Sequence, residues 1–105
     1  MAKKEIIGKT IEVDDDGYIA DRSQWSEDVA NALAVEVEIV ELTDDHWKVI
    51  RFLQKETGDD GSVPTLRKIG KHSGVDMKGL YKLFPNGPVK KAAYIAGLPK
   101  PKSCV

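Results

Sequence analysis

Residues 81–105 read Tyr81-Lys82-Leu83-Phe84-Pro85-Asn86-Gly87-Pro88-Val89-Lys90-Lys91-Ala92-Ala93-Tyr94-Ile95-Ala96-Gly97-Leu98-Pro99-Lys100-Pro101-Lys102-Ser103-Cys104-Val105. The turn residues at 85–87 predict a tight turn, after which Pro88 begins a helix that ends at Gly97. From there a predicted arm of prolines and lysines carries the only cysteine of the chain, Cys104. A thiol so near the chain end has little core in which to be buried, so reactivity explains this cysteine better than packing does.

The length and composition predict one domain. The chain has 105 residues, of which 41% are hydrophobic and 31% charged. We expect a globular body, residues 1–96, and a C-terminal arm, residues 97–105. The sequence has no membrane-spanning apolar run and no signal-peptide core, so we expect no membrane association. A single cysteine excludes an internal disulfide and a cysteine-clustered zinc site, and it favours a reducing, cytoplasmic location.

The charge is unevenly distributed. Residues 1–63 carry 7 Lys/Arg against 16 Asp/Glu, whereas residues 64–105 carry 9 Lys/Arg against the single acid Asp76. A basic surface formed by the second half would attract an anionic partner.

The pattern of the chain predicts a mainly α-helical domain with a small N-terminal β-hairpin. Residues 3–13 alternate around Gly8-Lys9, which predicts two strands joined by a two-residue loop. Four helices are expected before the last one, over residues 27–37, 44–57, 64–72 and 77–84, with Ser26, Thr43 and Asp76 as N-caps. The helix over 88–96 and a mobile C-terminal arm complete the predicted fold.

Residues 65–84 form a helix-turn-helix-like pair. This pattern is similar to the DNA-binding half of TetR-type repressors. If the pair bound DNA in the same way, Lys71, Lys78 and Lys82 of this chain would approach phosphates. The second helix offers Met77 and Gly79 where base-reading Arg, Asn or Gln side chains would be useful. A DNA-binding regulator is therefore one alternative, and a purely structural role for the pair is another.

A larger part of the chain resembles the DsrC/TusE family of sulfur-carrier proteins. The resemblance rests on Leu83-Phe84-Pro85, Gly87-Pro88, Gly97-Leu98-Pro99-Lys100-Pro101 and the penultimate cysteine. It also covers Asp16-Gly17-Tyr18, Ser23-Gln24-Trp25-Ser26, Leu42-Thr43, His46-Trp47, and Pro64 with Leu66-Arg67. The resemblance implies a small helical fold that contains the helix-turn-helix-like pair as scaffold.

The resemblance also implies the function. Cys104 would accept sulfur as a persulfide, with no separate cofactor, and pass it from a donor sulfurtransferase to an acceptor protein, as in TusE-like tRNA thiolation. An alternative within the family is a DsrC-like gamma subunit that associates with dissimilatory sulfite reductase. Such members carry a second cysteine eleven residues before the first, and that position here is Ala93. The one-cysteine pattern favours simple sulfur relay, or the role of a regulatory relative, over the role with sulfite reductase. We expect a carrier that is monomeric when reduced, rather than a stand-alone catalyst.

The arm has features that suit this role. Pro99 and Pro101 favour an extended form, and Gly97 is a candidate hinge, so the thiol would project roughly 20 Å from the body. Lys100 and Lys102 would favour the thiolate.

Further basic residues have candidate roles in thiolate formation and in docking. The C-terminal carboxylate would disfavour the thiolate form of Cys104, and Arg67 or a lysine of the last helix could offset this by neutralising the carboxylate. Lys90 and Lys91, with the two arm lysines, would steer docking toward an acidic partner. His46, at a helix N-terminus, is expected to be a packing or capping residue, and both tryptophans are expected to pack in or against the core.

Overall fold

In the computed structural model, which describes residues 2–57 and 63–100, an antiparallel hairpin is followed by a set of α-helices. The strands are β1, Ala2–Ile6, and β2, Lys9–Val13, and a short 3₁₀ helix covers Arg22–Gln24. The α-helices α1 to α5 span Glu27–Glu36, Asp44–Glu56, Leu66–His72, Met77–Leu83 and Pro88–Ile95. The predicted fold class, mainly α with an N-terminal hairpin, is confirmed.

The hairpin loop differs by one residue from the prediction. Ile6 pairs with Lys9, so the loop is Ile7-Gly8 rather than Gly8-Lys9, with φ of +47° and +77°. Either loop puts Ile6 on the same face as the buried Ile11. The alternation of side chains could not distinguish the two registers, because they differ by an even number of positions.

The start of α3 is also different from the prediction. The helix begins at Leu66, not at Pro64, because Thr65 is the N-cap and its side chain accepts a hydrogen bond from the N–H of Lys68. Ser26 and Asp76 cap α1 and α4 as expected. In each of these caps a side-chain oxygen binds an N–H that the helix itself leaves free.

His46 joins the start of α2 to the end of α4. Its Nδ1 accepts from the N–H of Thr43 at 3.0 Å and lies 2.8 Å from Thr43 Oγ1, while Nε2 lies 2.9 Å from the carbonyl oxygen of Leu83. Because a carbonyl can only accept, Nε2 carries the proton in this arrangement. The expected packing and capping role of this histidine, which is 6% exposed, is confirmed.

The helix-turn-helix-like pair is present as α3 and α4. The two helices approach so closely that a Cβ on Gly70 would lie 2.8 Å from Met77 Cγ. Lys71, Lys78 and Lys82 are exposed on this pair. The pair packs with its apolar residues in the common core, as a scaffold would.

Helix α5 lies at the centre of the fold and packs against α1, α2 and α4. Its residues Val89, Ala92, Ala93 and Ile95 are fully buried. The position of the helix end is therefore fixed by the core, and so is the start of the segment that follows it. None of the helices in residues 2–57 and 63–100 is long and apolar enough to cross a bilayer.

Candidate functional site

The turn that ends α5 determines where the C-terminal arm leaves the body. Gly97 has a φ of +75°, its N–H donates to the carbonyl of Tyr94 at 3.4 Å, and the N–H of Leu98 donates to the carbonyl of Ala93 at 3.0 Å. This is the Schellman arrangement of a helix C-terminus, which favours glycine at the left-handed position. Leu98 is only 1% exposed, so the body extends two residues past the boundary expected after the helix. We call residues 95–98 the arm root.

Two side chains from elsewhere in the chain bind the first two carbonyl groups of the arm root. Trp25 Nε1 donates to the carbonyl of Ile95 at 2.8 Å, and Gln54 Nε2 donates to the carbonyl of Ala96 at 2.9 Å. The last carbonyls of a helix have no partner within the helix and need one from elsewhere. The indole also packs on Gly97, where an added Cβ would lie 2.6 Å from Trp25 Cδ1. Any bending of the arm is therefore expected to begin after the arm root rather than at Gly97.

Arg51 holds the residues that contact the arm root. Its guanidinium lies 5.5 Å from the ring centroid of Trp25 and 5.2 Å from that of Trp47, within the range of cation–π attraction. It also pairs with Glu27 at 2.6 Å and donates to Gln54 Oε1 at 3.2 Å. The indole and the amide that cap α5 are thus positioned by one arginine of α2.

Sequence reasoning missed the site role of Trp25, Arg51 and Gln54. The spacing of Gln54 was an available signal, because it places this side chain beside Ile50 and Leu53 on the same face of the helix. A polar side chain next to an apolar stripe often forms a hydrogen bond with a buried backbone group. Nothing local connects Arg51 with Trp25, which belongs to a segment far away in sequence.

Two of the predicted docking lysines lie beside Tyr18, and a third pairs with Asp16, two residues before it in sequence. Lys90 and Lys91 line an open cavity of about 210 Å³ together with Tyr18, whose hydroxyl donates to the carbonyl of Lys90 at 3.3 Å. Lys100 Nζ lies 3.5 Å from an oxygen of Asp16, and both side chains are about half exposed. An exposed pair of this kind contributes about 0–1 kcal/mol, so it leaves the arm lysine available to a partner.

A hydrogen-bonded network supports this side of α5. Lys4 donates to Tyr94 Oη at 2.8 Å and pairs with Glu36, and the Tyr94 hydroxyl donates to Glu36 at 2.9 Å. Burial raises the pKa of Tyr94, the bond from Lys4 lowers it, and the interaction with Glu36 raises it, with a net increase. Burial also raises the pKa of Tyr18, whose ring packs edge-on against Tyr94 at 5.3 Å. Burial acts to lower the pKa of Lys4, but its bonds to Glu36 and Tyr94 outweigh this and raise it.

Ala93, the position that corresponds to the second cysteine of two-cysteine family members, lies directly beneath the arm root. Ala93 is fully buried on α5, and its carbonyl accepts the N–H of Leu98. With alanine here, Cys104 has no second thiol in the chain with which to form an internal disulfide.

The other predicted site residues are placed as follows. Pro99 is partly exposed and follows the arm root directly, whereas Cys104, Pro101 and Lys102 lie outside the described residues. Arg67 is exposed on α3 and does not line the cavity at Tyr18. No cluster of three metal-ligating side chains occurs in residues 2–57 and 63–100.

Comparison with known proteins gives the family. The family model described as "DsrC like protein" matches residues 5–105. "Sulfurtransferase TusE" of Pectobacterium atrosepticum is 42% identical over 109 residues, which cover 96% of this chain and 98% of that protein. The protein of the same name from Escherichia coli K12 is 42% identical over 106 residues, 93% of this chain and 95% of its own length.

A solved structure agrees with these relatives. The crystal structure of the oxidized gamma-subunit of the dissimilatory sulfite reductase (DsrC) from Archaeoglobus fulgidus superposes with a TM-score of 0.80. It is 40% identical, over 99% of this chain and 100% of that one. These matches lend no support to the DNA-binding alternative. The chain belongs to the DsrC-like protein family.

Proposed function

We propose that the protein is a sulfur carrier that accepts sulfur on Cys104 as a persulfide and passes it to a partner protein. The observation that carries this proposal is membership of the DsrC-like family in a chain whose only thiol is the penultimate residue. The two relatives compared above are both described as sulfurtransferases, which supports the same chemistry.

The transfer proceeds by thiol–persulfide exchange. The Cys104 thiolate attacks the outer sulfur of a donor persulfide, so a new S–S bond forms on Cys104 as the donor S–S bond breaks and the donor leaves as a thiolate. An acceptor thiolate then attacks the outer sulfur on Cys104 in the same way. Each step exchanges one S–S bond for another, so no external oxidant or reductant is consumed.

The geometry of the arm root supports this role. Because the core fixes residues 95–98, the arm starts from a defined point on the body. Residues 99–104, extended at about 3.1 Å each, would carry the thiol up to roughly 19 Å from the body, far enough to enter a partner's cleft. Lys90, Lys91 and Lys100, on the side of Tyr18, would then face an acidic surface of that partner.

We consider two candidate sets of partners. A donor sulfurtransferase and an acceptor enzyme of tRNA thiolation fit the sulfurtransferase relatives, and the exchange would take place in the cytoplasm. The likeness to the DsrC gamma-subunit favours association with dissimilatory sulfite reductase as a second candidate. Ala93 counts against that candidate, because the two-cysteine chemistry of such family members needs a thiol at this position.

Complementation tests the proposal. The gene is expressed in an Escherichia coli strain that lacks its own TusE, and thiolated tRNA is quantified. We expect the wild-type chain and the control Ser103→Ala to restore thiolation and Cys104→Ser to fail. Equal restoration by Cys104→Ser would contradict the proposed role of the thiol, and failure of the wild-type chain would contradict the tRNA-thiolation assignment.

A further inference from the structure

A second cavity opens directly beside the arm root. It has a volume of about 260 Å³ and is lined by Arg22, Trp25, Gln54, Ala96 and Leu98. Its walls are therefore the indole that packs on Gly97, two arm-root residues, the capping amide and one arginine from the 3₁₀ helix. A protein that receives the whole arm, up to its root, would lie close to this opening.

The polar groups of the cavity are already satisfied, except for the arginine. Trp25 Nε1 and Gln54 Nε2 donate to carbonyls of the arm root, and Gln54 Oε1 accepts from Arg51. The carboxylate next to Arg22, Asp21, accepts from the N–H and hydroxyl of Ser23 instead. Arg22 is exposed and takes part in no ion pair among the described residues.

The arginine and the apolar lining of the cavity together favour a carboxylate ligand. A guanidinium binds a carboxylate through two parallel N–H···O bonds, and it is preferred over lysine for such planar recognition. The indole of Trp25 and the side chains of Ala96 and Leu98 provide an apolar wall for the methylene groups of an acidic side chain. A polyanion such as RNA suits the place less well, because Asp21 is next to Arg22 in sequence and Glu27 pairs with Arg51, which lies over the ring of Trp25.

We propose that this cavity receives an aspartate or glutamate side chain of the partner protein that accepts the arm, with its carboxylate bound by Arg22. The inference rests on the proposed function and adds a docking contact to it. The partner would thus be held at the arm root while Cys104 reaches its thiol. The lysines near Tyr18 attract an acidic partner over a distance, whereas Arg22 fixes its register at the point where the arm emerges.

The test compares Arg22→Ala with Arg22→Lys and with the control Lys78→Ala, which removes an exposed charge from α4. The rate at which thiolated tRNA appears after induction is measured in the Escherichia coli strain that lacks TusE. Loss of a charge-assisted hydrogen bond predicts a decrease of roughly 10- to 150-fold for Arg22→Ala. Arg22→Lys should retain part of the rate, and Lys78→Ala should match the wild type.

Three measurements on the purified full chain distinguish a docking contact from an effect of Arg22 on thiol reactivity, on folding or on RNA binding: persulfide loading, the urea midpoint and the binding of a tRNA probe. Loading of Cys104 by a small-molecule persulfide should proceed at the wild-type rate in Arg22→Ala, and the urea midpoint should be unchanged. Slower loading would mean that Arg22 acts on the chain's own terminus, and weaker binding of a tRNA probe would mean a nucleic-acid contact. Either result would overturn the proposal, as would full relay by Arg22→Ala. Failure of the wild-type chain in the strain would instead contradict the tRNA-thiolation assignment of the proposed function.

Discussion

Replacing Gly97 by alanine tests whether the arm root is as rigid as the contacts indicate. The left-handed φ of +75° costs a non-glycine residue about 1–2 kcal/mol. The new Cβ would also lie 2.6 to 2.9 Å from three atoms of Trp25, which cannot move freely because its indole N–H is bound to Ile95 and Arg51 lies over its ring. Such overpacking costs a further 1–3 kcal/mol or so, and we expect a total loss of about 2–5 kcal/mol in the free energy of unfolding.

Gly8→Ala provides a matched control. Gly8 has nearly the same φ, +77°, but a Cβ there would meet nothing within 4 Å. Its replacement should therefore cost only the backbone strain of about 1–2 kcal/mol. Urea unfolding followed by circular dichroism measures both variants, and the difference between them isolates the contact with Trp25. Equal losses for the two variants would refute the claim that the indole is held firmly against the arm root.

Two further predictions concern α1 and its neighbours. Glu38 follows α1 at a φ of +68°, which is the left-handed conformation that Gly97 adopts after α5. Glu38→Gly should therefore raise the free energy of unfolding by about 1 kcal/mol in the same urea assay. An unchanged or lower midpoint would contradict this prediction. The pKa values of Lys4, Tyr18 and Tyr94 are raised, so the folded chain holds the protons of these side chains more tightly than the unfolded chain does. The contribution of these protonated side chains to stability is therefore intact below about pH 10 and is lost as the pH rises further. The urea midpoint should fall across this range, and Tyr94→Phe should flatten the fall; a slope that Tyr94→Phe leaves unchanged would exclude the network as its source.

Much of the fold could be predicted because its signals are local. Ser26 and Asp76 mark helix starts, and Gly97 marks a helix end, each through a backbone group within a few residues. The hairpin loop could not be placed, since both registers bury Ile6 and Ile11 and the observed one puts Ile7 in the left-handed region.

The candidate site was predictable only in part. The penultimate cysteine and the lysines are visible in the sequence, and so is the family pattern that gives them meaning. The contacts that fix the arm root are not, because Trp25 and Gln54 reach α5 from elements that are distant in sequence. The burial of Leu98 depends on the same tertiary contacts, so the sequence predicted an arm that begins at Gly97.

The most direct test of the central claim is the intact mass of the reduced protein after incubation with a persulfide donor. We expect the wild-type chain to gain the mass of one sulfur atom, to lose it on treatment with reductant, and to discharge it to an acceptor thiol, whereas Cys104→Ser gains nothing. A wild-type chain that stays unmodified by competent donors, or a Cys104→Ser variant that gains the same mass, would contradict the assignment of this protein as a sulfur carrier.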